Sequence, residues 1–166
     1  MRHGLIFIAL ACAAPGAAQQ DPTLEFVFEE IVLLGQATAP GDTAMGGRLI
    51  IPITGGTFEG PGNGESIKGT IVPGGWDWQL RRADGCTVVE ADYFLKTDDG
   101  VVINVVNKGA ICPGEGGAMR PARTHPVFEP PLGKYQWLGQ SAFIGTLEMA
   151  PPEHGAAVKI RFFRVR

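Results

Sequence analysis

Residues Trp76–Gly109 read WDWQLRRADGCTVVEADYFLKTDDGVVINVVNKG and carry the strongest local signals of the fold class. Two Asp-Gly pairs, at positions 84–85 and 99–100, separate three segments that are rich in β-branched and aromatic residues. Asp-Gly between alternating segments is the strongest short-range signal for a β-hairpin. The stretch therefore predicts three antiparallel strands joined by two tight turns.

The same pattern continues on both sides of this meander. Strand-like runs, punctuated by glycine and proline, are TLEFVFEEIVLL (23–34), RLIIPIT (48–54), GTFEG (56–60), ESIKGTIV (65–72), YQWLGQSAFIGTLEM (135–149) and AAVKIRFFRVR (156–166). About eight or nine strands without helical crossovers must close or stack to remove their edges. We expect an all-β fold, an antiparallel β-barrel, with a two-sheet sandwich as the alternative.

Three local features refine this prediction. The Glu29-Glu30 pair interrupts an alternating run, and a bulge there would let Ile31 and Leu33 continue the apolar face of Phe28. Pro73-Gly74-Gly75 is typical of a turn. Residues Gly114–Gly133 contain four prolines and predict one long loop, a lid or rim.

The first 18 residues have the layout of a secretory signal peptide. MRHGLIFIALACAAPGAA combines a basic start, a short apolar run and small residues before Gln19, so cleavage is expected near Ala18. This leaves one barrel domain, 19–166, exported to the periplasm or secreted. Cys12 leaves a lipid anchor open. The apolar run is too short to span a bilayer, and no other segment is apolar enough.

Net charge and cysteine content limit the classes of partner and cofactor that we expect. The net charge is −3 and cationic stretches are short, which argues against a nucleic-acid partner. Cys86 and Cys112 remain after cleavage, and an even count in an exported chain predicts a disulfide, with two separate thiols as the alternative. Neither His125 nor His154 lies at ligand spacing from a cysteine, so we expect no metal and no cofactor.

Catalytic motifs are few. GPGNG (60–64) precedes a strand instead of the helix that a phosphate loop needs. Ser66 and Ser141 are the only serines, and neither lies in a hydrolase elbow. Carboxylates are better supplied, and Asp77 is the most unusual, since it lies between two tryptophans. Alternation places Asp77 either in water outside an apolar core or inside a wet ligand cavity, and the periodicity leaves both open.

Several segments resemble one protein family. IPITGGTFEGPG (51–62), IKGTIVPGGWDWQLRRADG (67–85), ADYFLKTDDGVVINVVNKG (91–109) and PVFEPPLGKYQWLGQSAFIG (126–145) are similar to domain-of-unknown-function family 3237, also called uncharacterised protein family 0311. The resemblance covers Leu24–Arg166. It implies an antiparallel β-barrel of calycin-like shape, and a small-molecule binder, cyclase or isomerase would suit it.

The resemblance also points to individual residues. Family-typical polar and aromatic positions in this chain are Glu59, Asp77, Trp78, Tyr93, Asp98, Asn107, Phe128, Glu129, Tyr135 and Trp137. Asp98 is expected to bond its own turn backbone. Asp92 replaces a common arginine, and Gly139 replaces an asparagine, which puts an anionic substrate in doubt.

From these residues we predict a site at the barrel mouth. Asp77, Glu129 and Tyr135 are the candidate catalytic residues, and we expect the segment Phe128–Trp137 to fold over the mouth and bring the last two near Asp77. Candidate ligand contacts are Glu59, Trp78, Tyr93, Asn107, Phe128 and Trp137.

Three functions follow from this prediction. The leading hypothesis is an exported barrel that binds a small, partly apolar organic molecule. The alternative is a cofactor-independent acid–base enzyme, an isomerase, cyclase or lyase acting on a small secondary metabolite, with Asp77 or Glu129 as base and Tyr135 or Tyr93 as proton donor. The third is a structural or interaction module of the envelope. The oligomeric state is left open, a homo-oligomer included.

Overall fold

Nine antiparallel strands form one sheet in the computed structural model, which describes residues 20–117 and 120–166. The predicted signal peptide and Cys12 lie outside the described residues. The strands are β1 (Leu24–Leu34), β2 (Thr38–Thr43), β3 (Gly46–Gly60), β4 (Ile67–Arg81), β5 (Thr87–Thr97), β6 (Val102–Ile111), β7 (Ala122–Glu129), β8 (Phe143–Met149) and β9 (Ala157–Val165). Short 3₁₀ turns lie at Glu115–Gly117, Gln136–Leu138 and Pro152–His154.

Pairing of β1 with β3 closes the sheet. The strands follow the order β1-β9-β8-β7-β6-β5-β4-β3-β2, and β1 also pairs with β3 from Glu29↔Glu59 to Leu34↔Ile53. Eight strands therefore form a closed barrel, while β2 is an additional strand on the first part of β3. The predicted antiparallel barrel is confirmed, and the sandwich alternative is wrong.

β3 and β4 are longer than the sequence indicated. Each runs through 15 residues and changes register in the middle, β3 between Ile53 and Thr57 and β4 between Val72 and Trp76. The prediction of a turn at 73–75 is therefore wrong, because Pro73-Gly74-Gly75 forms an irregularity inside β4. Gly75 allows β5 to approach closely, since a Cβ there would lie 2.5 Å from Cβ of Tyr93.

The predicted phase change in β1 is also wrong. The register shift against β9 falls between Phe26 and Phe28, and strict alternation continues from there. Phe28, Glu30 and Val32 are all buried inside the barrel, with relative exposures of 0%, 1% and 2%. Residues 31 and 33 are only half-buried. The inner face of β1 therefore carries a carboxyl group in the core.

β7 forms within the segment that was predicted as one long loop. Residues 122–129 alternate between buried and exposed and pair with β6 from Ala110↔Arg123 to Asn104↔Glu129. Pairing with β8 covers only residues 122–124. Pro126 lies beyond that pairing, where a residue without an N–H is tolerated in a strand. The proline thus marks a half-paired strand and not a loop.

The two ends of the barrel differ. The β3–β4, β5–β6 and β7–β8 connections lie at one end, where Phe28, Phe58, Phe128, Phe143 and Phe162 pack with neighbouring ring centroids 5.0 to 5.8 Å apart. Edge-to-face contacts of this kind stabilise beyond the area they bury. We call this the closed end. The β4–β5, β6–β7 and β8–β9 connections lie at the opposite end.

A disulfide joins two connections at that opposite end. Cys86 and Cys112 are bonded across β5 and β6, next to the register pair Thr87↔Ile111. The predicted pairing is confirmed. The cysteines are separated by 26 positions in the sequence, and closing this loop contributes about 3–4 kcal/mol in the chain-entropy model.

Candidate functional site: a cavity at one end of the barrel

A cavity of about 310 Å³ lies inside the barrel at the end that carries the disulfide. Most of its wall is aliphatic, including Val32, Leu34, Ile53, Leu147, Val158 and Ile160. The polar residues in the wall are Asp77, Gln79, Tyr93 and Asn107. These four come from three adjacent strands, β4, β5 and β6, so the cavity has one polar side and an otherwise apolar lining.

The position of Asp77 answers the question that periodicity left open. Trp76 and Trp78 lie on the outer surface, 43% and 46% exposed, and Asp77 and Gln79 face the interior. Of the two positions that alternation allowed for Asp77, the structure shows the inward one, facing a cavity.

Asp77 is held in place by two hydrogen bonds. Gln79 Nε2 donates to its Oδ2 at 2.7 Å, and the Glu90 backbone N–H donates to Oδ1 at 3.2 Å. Burial raises the pKa of Asp77 above its ordinary value, because desolvation outweighs the two hydrogen bonds that favour the charged form. A carboxylate in such a position can accept a proton more readily than an exposed one.

Tyr93 connects the cavity to a buried acid. Its hydroxyl donates to Oε1 of Glu30, whose Oε2 has no hydrogen-bond partner among the described residues. Burial raises the pKa of Glu30 to about 8, opposed in part by the Tyr93 hydrogen bond. Burial and the neighbouring Glu30 also raise the pKa of Tyr93 well above its ordinary value. At neutral pH both groups therefore keep their protons.

Asn107 is the most buried polar residue in the cavity wall after Tyr93. It is 2% exposed, and its Oδ1 has no partner among the residues described. Asp77 pairs with Ala91 on β5, and Ala91 pairs with Asn107 on β6. The three side chains thus form one inward row, in which the small Ala91 leaves a niche between an acid and an amide.

Other predicted site residues lie outside the barrel. Glu59 is exposed beside Lys68, Trp78 is on the outer face, and Glu129 is exposed at the end of β7. Asp98 lies in the β5–β6 turn, and its carboxylate is 3.3 Å from Nζ of Lys68 on β4. The Asp98 backbone N–H donates to the Lys68 carbonyl. The sequence placed Glu59 and Trp78 correctly in strands and Asp98 correctly in a turn, whereas Glu129 lies in a strand where a loop was predicted.

Two of the aromatic candidates, Phe128 and Trp137, belong to the closed end. Phe128 is part of the phenylalanine cluster, and Trp137 packs against Phe143 and under the Arg164 guanidinium, 5.2 Å from its ring centroid. The prediction that residues 128–137 bring Glu129 and Tyr135 to Asp77 is therefore wrong. The segment follows β7, whose last residues reach the end opposite the cavity.

Tyr135 has a different partner there. Its hydroxyl lies 3.1 Å from both carboxylate oxygens of Asp99, which also binds Lys134 Nζ at 2.9 Å. Hydrogen bonds from Thr97 and Lys134 lower the pKa of Asp99 to about 2. This cluster fastens the β7–β8 connection to the β5–β6 turn.

Of the predicted residues, the structure brings together Asp77, Tyr93 and Asn107. Glu30 and Gln79 join them, and neither was singled out from the sequence. Gln79 follows Asp77 at a spacing of two, so the alternation that carries one inward carries both. Glu30 stands at the same spacing between Phe28 and Val32, and continued alternation would have placed it inside.

Two further observations concern the described part of the chain. Within residues 20–117 and 120–166, no group of three or more histidine, cysteine, aspartate or glutamate side chains is arranged to hold a metal ion. In the same residues, no helix has the length and apolarity needed to cross a membrane.

The protein is thus a closed antiparallel β-barrel with an aromatic core at one end and a partly polar cavity at the other. The chain belongs to the family described as "Protein of unknown function (DUF3237)", whose model matches residues 22–165. The family resemblance read from the sequence is thereby confirmed.

Relatives and solved structures agree with this assignment. A UPF0311 protein of Rhodopseudomonas palustris is 39% identical over 139 residues, which is 75% of this chain and 88% of that protein. A crystal structure of a β-barrel-like protein from Acinetobacter baumannii has a TM-score of 0.79 at 29% identity and covers 90% of this chain and 99% of its own. An enzyme from Penicillium herquei has a TM-score of 0.67 at 25% identity, with 91% and 99% covered.

The Glu30 carboxyl predicts a pH dependence of stability. Between about pH 4.5, its ordinary pKa, and its folded pKa of about 8, the folded state holds a proton that the unfolded state has released. Stability is therefore highest below this range and falls as the pH rises through it, by up to about 1.4 kcal/mol per pH unit. Glu30→Gln keeps a neutral acceptor for Tyr93 and should remove this loss of stability. The free energy of unfolding of Glu30→Gln, measured in urea, should therefore increase relative to that of the wild type from pH 5 to pH 8.

Glu29→Gln is the matched control, because Glu29 is the neighbouring residue and faces outward, 3.5 Å from Arg161. It should retain the wild-type slope. An equal slope in Glu30→Gln and the wild type would show that Glu30 does not carry the effect.

Proposed function

We propose that this protein binds a small, partly apolar organic molecule in the barrel cavity. The observation that carries this proposal is the cavity itself, about 310 Å³ in volume, with aliphatic walls and four polar side chains gathered on one side. Binding sites for small molecules have this composition, in which apolar surface supplies affinity and a few polar groups fix orientation. A purely structural module of the envelope would need only a stable barrel, and a barrel filled with side chains would serve that role without a cavity.

The buried amide supports the same proposal. An unpartnered oxygen in the interior is unfavourable by about 1–3 kcal/mol, and a ligand group that donates to Asn107 Oδ1 would remove that penalty. Most buried polar atoms in folded proteins have a partner. A bound molecule is one way to supply it here.

A neutral fluorescent probe tests the binding proposal. N-phenyl-1-naphthylamine should bind the wild type with enhanced emission. Ala91→Phe, which places a ring in the niche, should raise the dissociation constant at least tenfold. Ala110→Phe makes the same exchange on the exposed side of β6 and should bind the probe as the wild type does. Equal binding by the two variants, or no binding by the wild type, would contradict a ligand cavity.

Acid–base catalysis without a cofactor is the second candidate. Asp77, whose pKa is raised, faces the same cavity as Tyr93, which gives a base and a proton donor on one wall. The similarity to a Penicillium herquei protein described as an enzyme supports it. The reaction would be an isomerisation, cyclisation or elimination in which Asp77 removes a proton and Tyr93 returns one.

The two candidates differ in the effect of removing the base. For an enzyme, Asp77→Asn should lower kcat at least a hundredfold for any substrate found by screening extracts, while changing KM little. Glu129→Gln, which alters an exposed carboxylate outside the barrel, should leave both parameters unchanged. An Asp77→Asn variant with wild-type kcat would exclude the base role and leave the binder.

We also propose that the protein is exported, with cleavage near Ala18. The Cys86–Cys112 bond supports this, because such crosslinks persist in oxidising compartments. Mass spectrometry of the protein from its natural host should give a chain that begins at Gln19 and is two hydrogens lighter than the dithiol. A chain that retains residues 1–18, or the full dithiol mass, would contradict export.

A further inference from the structure

The niche above Ala91 is bordered by hydrogen-bond acceptors on both sides. Asp77 and Asn107 flank Ala91 in register on the two neighbouring strands, and adjacent strands lie about 4.8 Å apart. Their side chains are therefore separated by roughly two strand spacings, about 10 Å between backbones. A small ligand group placed over the Ala91 methyl can reach the Asp77 carboxylate and the Asn107 amide together.

Each polar residue of the wall offers an acceptor to the cavity. A carboxylate has about four lone-pair sites, and the two hydrogen bonds of Asp77 leave the others available. Gln79 donates from its Nε2 to Asp77, so its Oε1 remains available as an acceptor. The Tyr93 hydroxyl donates a hydrogen bond to Glu30, so its oxygen can still accept one. Asn107 lines the cavity, and its buried Oδ1 has no hydrogen-bond partner among the described residues, so this amide still lacks a donor.

The charges of the residues that line the cavity argue against an anionic ligand. Among the residues that the structure describes, no lysine, arginine or histidine lines this cavity, and Asp77 is the ionisable carboxylate in its wall. A ligand carboxylate, phosphate or sulfate would enter beside this negative charge with no cation to compensate it. Burying such a pair of like charges is strongly unfavourable.

We propose that the ligand is an organic ammonium ion, with its charged nitrogen in the Ala91 niche and its hydrocarbon body against the aliphatic wall. This rests on the proposed binding function. An ammonium nitrogen carries two or three donors and one positive charge, which matches a carboxylate and an amide oxygen on opposite sides of the niche. A hydroxyl group carries one donor, so it leaves either Asp77 or Asn107 without a new partner.

The hydrocarbon body follows from the remaining wall. Val32, Leu34, Val158 and Ile160 come from β1 and β9, across the barrel from the polar strands. An aryl or alkyl group attached to the nitrogen would lie against these side chains and gain the transfer free energy of apolar burial, about 25 cal/mol per Å². The site thus takes amphiphilic amines in preference to small hydrophilic ones.

Three probes with one skeleton test the inference by isothermal titration calorimetry at pH 7 on the full chain. They are 4-phenylbutylamine, 4-phenylbutan-1-ol and 4-phenylbutanoate. The amine should bind at least tenfold more tightly than the alcohol, and the carboxylate should bind at least tenfold more weakly than the alcohol. Equal affinities for the amine and the alcohol, or tightest binding of the carboxylate, would overturn the ammonium assignment.

Variants then locate the charge recognition. Asp77→Asn should reduce amine affinity at least tenfold and leave the alcohol within threefold of the wild type. Asn107→Leu, on the other side of the niche, should reduce the affinity for the amine several-fold. It provides an independent test if Asp77→Asn fails to fold. Glu59→Gln removes a carboxylate from the outer surface and should leave all three affinities unchanged. Amine binding that is indifferent to both niche variants would overturn the proposal.

The outcomes separate this inference from the function on which it rests. If N-phenyl-1-naphthylamine, which is uncharged at pH 7, binds in the cavity and none of the phenylbutyl probes does, the ammonium assignment fails and the binding function stands. If neither the naphthylamine nor any phenylbutyl compound binds, both fail.

Discussion

The pairing of β1 with β3 holds the barrel closed. Without it the sheet would end in two free edges and have no enclosed side. The pairing requires close backbone contact, since a Cβ on Gly56 would lie 2.0 Å from the Ile31 carbonyl oxygen. Closure turns alternate residues of every barrel strand inward, and it is this geometry that gives Asp77 and Glu30 an interior to face.

The Glu30–Tyr93 hydrogen bond lies where the two halves of the interior meet. On β1, Glu30 stands between Phe28 of the aromatic cluster and Val32 of the cavity wall, and on β5 Tyr93 stands between Ala91 and Leu95. A buried carboxyl is tolerated here because it is neutral and has one partner. The pair therefore separates a packed core, in which little can bind, from a space with a polar wall.

The sequence predicted the architecture well because its signals are local. Asp-Gly turns and alternating runs specify hairpins, and the disulfide was predicted from the even cysteine count together with the expectation of export. The inner faces of the strands were less predictable. A bulge shifts alternation by one residue, and nothing in TLEFVFEEIVLL distinguishes an irregularity at Val27 from one at Glu29. Because the irregularity was predicted at the wrong position, Glu30 was not recognised as an inward-facing residue.

The candidate site was only partly predictable for a related reason. Asp77, Tyr93 and Asn107 lie on consecutive strands, so hairpin registers bring them together. Tyr135 and Glu129 depend on where the β7–β8 connection runs. With Gly114–Gly133 read as one loop, that connection was free to reach the mouth. Instead, strand β7 forms inside this segment and places the β7–β8 connection a full strand length away from the cavity.

The division of the interior has a consequence for how such a barrel can diversify. The phenylalanines that hold the closed end together are not among the described residues that line the cavity, and substitutions at distant positions act nearly independently on stability. Changes in the cavity wall therefore leave the aromatic packing in place. One scaffold can accommodate different occupants through a handful of replacements on three neighbouring strands, with the remainder of the chain serving as a constant frame.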